Sequence, residues 1–220
     1  MDAAGLEVTM RLAAFCFPNF CHQTMFLYRL YETFLNLPAG LQTVLIMLLF
    51  MYILHLADRY MFKKKLKASY GLQPRQANNL LSPVLAHTLH KDRKHLFGNS
   101  VPFAILGSII ALSSLPAFWI ATGSIVTIGS LGTWLIGSKS RHLGASGLVT
   151  GYFGYLVFDG FINQETQSAL IGIIVGFFYF GIFRLVLRRH KGYSNAMHFF
   201  GFWGGLIAAW AKPFLLQNLI

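Results

Sequence analysis

Long apolar stretches alternate with shorter polar connections along most of the chain. A helix needs about 20 apolar residues to cross the hydrocarbon of a bilayer, and six stretches approach that length. They are predicted to run over 41–56, 95–113, 117–136, 144–158, 167–187 and 195–216. The pattern therefore predicts an all-α integral membrane protein, a bundle of six transmembrane helices.

The fourth stretch, residues 144–158, is the shortest of the six, with 15 residues. A helix of this length does not reach across an ordinary bilayer. Either the bilayer thins around it or the helix begins below the membrane surface. We therefore expect a short central fourth helix in the bundle.

Residues 1–40 form a separate segment ahead of the membrane domain, which we place at 41–216. The apolar residues of this segment are interrupted by polar ones and by Pro18. Such a mixed pattern is more typical of an amphipathic helix lying in the membrane interface than of a span. We expect an interfacial helix here.

Composition and charge agree with a membrane location. Of the 220 residues, 55% are hydrophobic and only 11% are charged, a balance that is too apolar for a soluble domain of this size. In a multi-span protein, the net charge of +11 indicates contact with anionic lipid headgroups. We expect a multi-pass protein of the cell membrane and no nucleic-acid partner.

Polar residues inside the predicted spans need a partner or a function, because hydrocarbon offers no water. Ser146 lies in the sequence GASG at the start of the fourth span. A helix N-terminus exposes unsatisfied N–H groups and the positive end of the helix dipole, so a backbone donor suited to an oxyanion lies beside this serine. Close packing of small residues is the alternative interpretation of the motif.

Two other spans carry polar residues at a similar depth. His95 and Asn99 are four residues apart, which places them on one helix face. His198 lies near the start of the sixth span, and Gly201 and Gly205 follow on the same face, where they allow a neighbouring backbone to approach. Taken singly, His95 and Asn99 are also explained as an interfacial histidine and a helix-bonding asparagine, and a lone buried histidine such as His198 is more often structural. Together with the serine, the three spans supply a nucleophile, a base and oxyanion donors.

The acidic residues nearest in sequence are Asp159 and Glu165, and both are predicted in the loop after the fourth span. They are therefore expected to lie away from Ser146 and His198. The chemistry would run through a Ser–His dyad without an acidic third member. We expect neither a metal ion nor a cofactor in such a site.

With these residues in place, the chain resembles the rhomboid family of intramembrane serine proteases over roughly 70–211. His90, His95 and Asn99 match two histidines and an asparagine of the family. The sequence HLGASGLVTGYFGYL matches the nucleophile motif, and HFFGFWGGLIAA matches the last core helix. YGLQPR at 70–75 looks like the segment before the second core helix. Each motif alone is weak evidence for the family, whereas the order and spacing of the motifs together are specific evidence for it.

The resemblance implies a six-helix rhomboid-like bundle and an endopeptidase that cuts transmembrane segments of membrane proteins. Ser146 is the implied nucleophile and His198 its base, while His95, Asn99 and the backbone N–H of Ser146 hold the oxyanion. A fourth helix that begins below the surface would leave the serine in a water-filled recess. The implied supporting positions are His90, Gly144, Gly147, Gly201 and Gly205.

Two departures from the family pattern affect these expectations. Thr150 stands where the family often has an aromatic residue that packs on the histidine, so His198 is expected to be held less firmly and activity to be low. The first connection, 58–94, is shorter and more basic than in many members, so the lateral gate is expected to differ.

Two alternative functions remain. The first is a catalytically weak or inactive rhomboid-like protein that binds and escorts membrane helices. Such proteins usually lack the serine or the histidine, and this chain keeps both. A transporter is a more distant alternative. It would need charged residues in the middle of its spans, whereas the charged residues of this chain are predicted near the ends of the spans.

The charge distribution bears on the orientation of the protein. Fifteen of the 18 Lys and Arg residues lie at 59–94, 139–141 and 184–191, in connections that share one face of a six-span bundle. The positive-inside rule favours a cytoplasmic location for that face, toward which the site would open. The family resemblance implies the opposite orientation, and we favour the cytoplasmic one because the rule rests on the physics of insertion.

Overall fold

The computed structural model describes residues 18–76, 79–187 and 195–217, and its regular elements in these ranges are all helices. The expected all-α architecture is confirmed. The helices are α1 (Pro18–Leu35), α2 (Ala39–Tyr60), α3 (Lys65–Tyr70), α4 (Ser82–Leu85), α5 (Arg93–Ser113), α6 (Leu115–Ile136), α7 (Ser146–Asn163), α8 (Thr166–Phe178), α9 (Phe180–Leu187) and α10 (Asn195–Gln217).

Within the described ranges, four helices are long and apolar enough to cross a membrane, namely α2, α5, α6 and α10. These four make the chain a multi-pass membrane protein. Helix α8 is apolar but only 13 residues long, and α7 is not among the four. The count of six crossings therefore stays a prediction.

Helix α7 lies at the centre of the bundle, packed against α5, α6, α8 and α10. It is 18 residues long, and 12 of them are buried. The helix runs to Asn163, beyond the predicted end at 158. Asp159, expected in a loop, lies inside the helix because Lys212 of α10 pairs with its carboxylate, with 3.0 Å between Nζ and Oδ1. A carboxylate that is paired with an ammonium group can lie inside the apolar bundle.

The predicted continuous span at 167–187 is interrupted. Helix α8 ends at Phe178 and α9 begins at Phe180, with Tyr179 between them. The N–H of Ile182 bonds the carbonyl oxygen of Tyr179 at 2.8 Å, three residues back instead of four. This tighter turn breaks the regular helical ladder. Hydropathy does not reveal the break, because both sides are equally apolar.

Helix α1 lies in the N-terminal segment, for which an interfacial amphipathic helix is predicted. Residues 1–17 lie outside the described part of the chain. Leu27, Leu30 and Tyr31 are exposed on α1, so this helix presents apolar side chains away from the bundle. Its location in the membrane interface, and the division of the chain at residue 40, stay predictions.

Glycines let α7 and α10 pack backbone to backbone. A Cβ on Gly201 would overlap the carbonyl oxygen of Gly147, and a Cβ on Gly205 would overlap that of Gly151. Any side chain at either position of α10 would push the two helices apart. The close approach brings the first turn of α10, which carries His198, beside the first turn of α7.

Candidate active site

Ser146 is the first residue of α7 and is half-buried. Ala145 occupies the N-cap position, and no side chain there caps the helix. The first N–H groups of a helix have no partner within it and form the positive end of its dipole. The serine hydroxyl therefore lies beside backbone donors that the sequence leaves uncapped.

Gly144, two residues before Ser146, adopts a backbone conformation (φ +112°) that suits glycine alone. The side chains of His95 and Asn99 fill the space beside it. A Cβ on Gly144 would lie 2.8 Å from His95 Nε2 and 3.2 Å from Asn99 Nδ2. A larger residue at 144 would displace both side chains. The structure thus joins one face of α5 to the loop that leads into the serine.

The side-chain amide of Asn99 is buried, and its Nδ2 has no hydrogen-bond partner. A buried donor without a partner costs about 1–3 kcal/mol, so such groups are rare in folded proteins. Because this amide lies beside Gly144, its N–H groups are available to an oxygen atom bound next to Ser146. That is the role expected of an oxyanion donor.

His90 supports the loop before the serine. Its Nε2 accepts the backbone N–H of Ala145 at 3.2 Å, and its Nδ1 lies 3.2 Å from the carbonyl oxygen of Thr88. These partners assign the proton to Nδ1, since Nε2 must accept. Burial, with a smaller contribution from His95, lowers the pKa of His90 to about 3, so the ring stays neutral and keeps accepting. The two imidazole rings meet edge to face, with 5.3 Å between their centroids.

His198 is buried at the level of the first turn of α7. Its neighbour Met197 packs on Gly147, where the methionine Cγ lies 2.7 Å from the position of a Cβ. Thr150 donates from its hydroxyl to the carbonyl oxygen of His198 at 3.1 Å. The residue that departs from the family pattern therefore ties the backbone of the histidine to α7.

His87 was not singled out from the sequence, yet the structure places it against the site. It is almost fully buried, and its Nε2 lies 3.1 Å from the Ser130 hydroxyl, which donates to the carbonyl oxygen of Pro83. Its Cε1 lies 3.3 Å from the position of a Cβ on Gly147. Burial lowers the pKa of His87 to about 4. The only signal in the sequence is its place three residues before His90.

The YGLQPR segment fastens the loop that leads into α7. Leu72 and His142 exchange two backbone hydrogen bonds of 3.1 and 2.8 Å. The guanidinium of Arg75 donates to the carbonyl oxygens of Leu135 and Gly137, at 3.1 Å each. These carbonyls close the C-terminal end of α6, where a cation is also favoured by the helix dipole. The segment therefore holds the nucleophile loop in place.

The two acidic residues considered as triad members lie at the other end of α7. Lys212 Nζ lies 3.0 Å from an Asp159 carboxylate oxygen and 3.3 Å from Glu165 Oε2. The side chains of Asp159 and Lys212 are only 7% and 12% exposed. This cluster is a structural ion pair. In the part of the chain that the structure describes, no group of three or more His, Cys, Asp or Glu residues is arranged to hold a metal ion.

Comparison with known proteins assigns the family. The family model described as Rhomboid domain matches residues 76–213. Uncharacterized proteins of Mycobacterium bovis and Mycobacterium tuberculosis are each 32% identical over 181 residues, which is 78% of this chain and 75% of theirs. An uncharacterized protein of Mycobacterium leprae is 30% identical over 181 residues, 78% of this chain and 71% of its own. The matched domain contains His95, Ser146 and His198, and the chain belongs to the rhomboid family.

Proposed function

We propose that this rhomboid protein is a serine endopeptidase that cuts transmembrane segments of other membrane proteins. One observation carries the proposal. His95 and the unpartnered amide of Asn99 converge beside Gly144, two residues before Ser146. Acyl transfer needs donors placed where negative charge develops on the carbonyl oxygen. The membership of the chain in a family of intramembrane proteases supports the same reaction.

In the proposed reaction, Ser146 Oγ attacks the carbonyl carbon of a peptide bond while the imidazole of His198 accepts the hydroxyl proton. The carbonyl oxygen becomes an oxyanion, which accepts hydrogen bonds from Asn99, His95 and the Ser146 N–H. On collapse of this intermediate the C–N bond breaks, and the imidazolium gives its proton to the leaving amine. A water molecule, deprotonated by the same histidine, then hydrolyses the acyl-enzyme.

The depth of the site bears on the kind of substrate. Ser146 begins a helix that lies at the centre of the bundle, and the histidine is buried at the level of its first turn. Peptide bonds within a membrane helix are shielded by their own hydrogen bonds. The proposed substrates are therefore transmembrane proteins whose helix unwinds locally, near small residues, to expose one bond. Anionic headgroups are the proposed lipid partners of the basic connections.

Labelling of the purified protein with a fluorophosphonate probe in detergent tests the proposal. The wild type should be labelled and should cut a model transmembrane substrate, whereas Ser146→Ala should lose both activities and keep its unfolding temperature. Ser138→Ala, at an exposed serine in the loop before α7, is the matched control and should keep both. Labelling or cleavage that persists in Ser146→Ala contradicts the mechanism. A folded wild type that does neither favours the helix-binding, inactive alternative.

A further inference from the structure

The end of α2 and the start of α5 meet at an exposed cluster of cations arranged around one tyrosine. Tyr60, the last residue of α2, is 63% exposed. The guanidinium carbon of Arg59 lies 5.6 Å from the centroid of its ring. Arg93, the first residue of α5, donates to the Tyr60 hydroxyl at 2.9 Å. One aromatic ring therefore holds two exposed guanidinium groups from different helices.

Further cations follow directly after α2. Lys63, Lys64 and Lys65 are all exposed. The first two adopt left-handed backbone conformations (φ 47° and 68°) shortly after the end of α2, and the N–H of Lys64 bonds the carbonyl oxygen of Asp58 at 2.7 Å. Such conformations are uncommon for residues other than glycine. Three exposed lysines therefore follow Tyr60 within five residues, two of them in backbone conformations that carry a conformational cost.

The carboxylates of this region are already engaged. Asp58 accepts the N–H groups of Leu66 and Lys67 at 2.9 and 3.4 Å and pairs with the Lys67 ammonium at 3.4 Å. Asp92 caps α5 by accepting the N–H of His95 at 2.9 Å, a bond that lowers the pKa of this carboxyl. Within residues 58–76 and 79–94 no other acidic residue occurs. Among the described residues, no carboxylate is left to pair with the cations around Tyr60, which are therefore open to a partner.

The position of the cluster identifies that partner as a lipid. Helix α2 is long and apolar enough to span the membrane, so its last residue lies at the level of the headgroups. Met61 and Phe62 are 75% and 44% exposed, directly beside the cations. Exposed apolar side chains next to Lys and Arg are the pattern of a surface that enters the headgroup layer. Tyrosine itself is enriched at this depth.

We propose that Arg59, Tyr60 and Arg93, assisted by the three lysines, form a binding site for the phosphate of an anionic phospholipid. Guanidinium groups suit this ligand because their paired donors match phosphate oxygens. A bound headgroup joins the end of α2 to the start of α5, two residues before His95, and so restrains the helix that carries the oxyanion donors. Only this last consequence rests on the proposed peptidase activity; the lipid site does not.

Native mass spectrometry of the protein in neutral detergent tests the site. Phosphatidylglycerol should bind in preference to phosphatidylcholine with the same acyl chains. The double variant Arg59→Gln/Arg93→Gln should weaken the binding of phosphatidylglycerol by about 25-fold, because each cation near an anionic lipid raises the affinity about fivefold. Lys139→Gln/Arg141→Gln removes two exposed cations from another connection and should bind as the wild type does. Equal losses in both variants, or equal binding of the two lipids, would overturn the site.

Two further measurements separate the possible ligands and the two proposals. Phosphatidylglycerol should raise the unfolding temperature, and glycerol phosphate at the same concentration should not; an equal rise with both would identify a site for free phosphate instead. Fluorophosphonate labelling should be faster in phosphatidylcholine vesicles that contain phosphatidylglycerol, except in Arg59→Gln/Arg93→Gln. Lipid binding without any such acceleration would refute the effect on α5. Lipid binding by a protein that is never labelled would refute the peptidase proposal and leave the lipid site standing.

Discussion

The two ends of α7 both gather buried or half-buried polar side chains, and they differ in how those side chains are paired. At the far end, Asn163 Nδ2 lies 3.1 Å from an Asp159 carboxylate oxygen and 3.0 Å from the carbonyl oxygen of Ala209, and Lys212 completes an ion pair. At the end that carries Ser146, the buried Asn99 Nδ2 has no partner.

This difference has a physical meaning. An unpaired buried polar atom costs about 1–3 kcal/mol, and a cluster that serves stability alone has no reason to keep one. The paired cluster locks α7 to α10, whereas the other end leaves the Asn99 Nδ2 donor open, as the proposed oxyanion role requires. His87 fits the second pattern, because its Nδ1 is also buried without a hydrogen-bond partner. Unmet hydrogen-bonding capacity, more than polarity, thus distinguishes the candidate site from the far end of α7.

Removal of the base should have the largest effect. His198→Ala is expected to reduce fluorophosphonate labelling and substrate cleavage on the order of 10⁴-fold or more, nearly as far as the serine variant, because the two residues act as a unit. Phe199→Ala, at the exposed neighbouring position, is the control and should stay active. Substantial labelling of the His198 variant would show that a different group takes the proton.

The two asparagines give the most direct test of the comparison. Asn99→Ala should lower the rate about 100- to 1000-fold and leave partial activity, since His95 and a backbone donor remain. Its unfolding temperature should not fall, because the Nδ2 of this amide has no hydrogen-bond partner in the folded state. Asn163→Ala, with its bonds to Asp159 and Ala209, should show the reverse: lower stability and an unchanged rate for the folded protein.

Two results would contradict this pairing. Loss of stability in Asn99→Ala would mean that its amide is structural. If neither Asn99→Ala nor His95→Ala lowered the rate, the assignment of the oxyanion donors would be wrong.

Disruption of the ion pair should affect stability alone. Asp159→Ala leaves the Lys212 ammonium buried without its main carboxylate, which is expected to cost about 3–5 kcal/mol of unfolding free energy. Asp159→Leu/Lys212→Met removes both charges and should cost much less. Unfolding titrations in mixed micelles measure the difference, and labelling of the folded fraction should be unchanged. A rate loss that exceeds the loss of folded protein would tie this end of α7 to the chemistry.

Acidification should destabilise the fold gradually, over several pH units. The pKa of His87 is lowered to about 4 and that of His90 to about 3, whereas an unfolded histidine titrates near pH 6.5. Below pH 6.5, the unfolded chain therefore binds protons at these two histidines that the folded chain does not bind. This contribution to stability is complete above pH 6.5 and is lost as the pH falls toward 4 for His87 and toward 3 for His90, by at most about 1.4 kcal/mol per pH unit for each histidine.

The unfolding temperature, followed from pH 7 to pH 5, measures this loss. This pH range is chosen because it lies above the range in which the carboxylates titrate. His87→Gln should be less sensitive to pH than the wild type, because one of the buried neutral imidazoles is gone. An unchanged dependence on pH in this variant would show that His87 is not buried in its neutral form.

Much of the architecture could be predicted from the chain alone. Apolar stretches of sufficient length predict α2, α5, α6 and α10 as spans, because each residue of such a stretch contributes locally to its transfer into hydrocarbon. The four-residue spacing of His95 and Asn99 decides that they share a helix face, since helical periodicity is a property of neighbours. In the same way, the small residues around Ser146 predict a helix start with open donors.

Only the tertiary structure decided which of these features meet. Asp159 lies within α7 because of a lysine 53 residues away, and His87 is held by a serine 43 residues away. The contact of His95 and Asn99 with Gly144 likewise depends on how α5 packs against the loop before α7. Periodicity and hydropathy describe each residue with its neighbours along the chain. Pairs that are distant in sequence are set by how the helices pack, and the unpaired amide of Asn99 becomes visible only then.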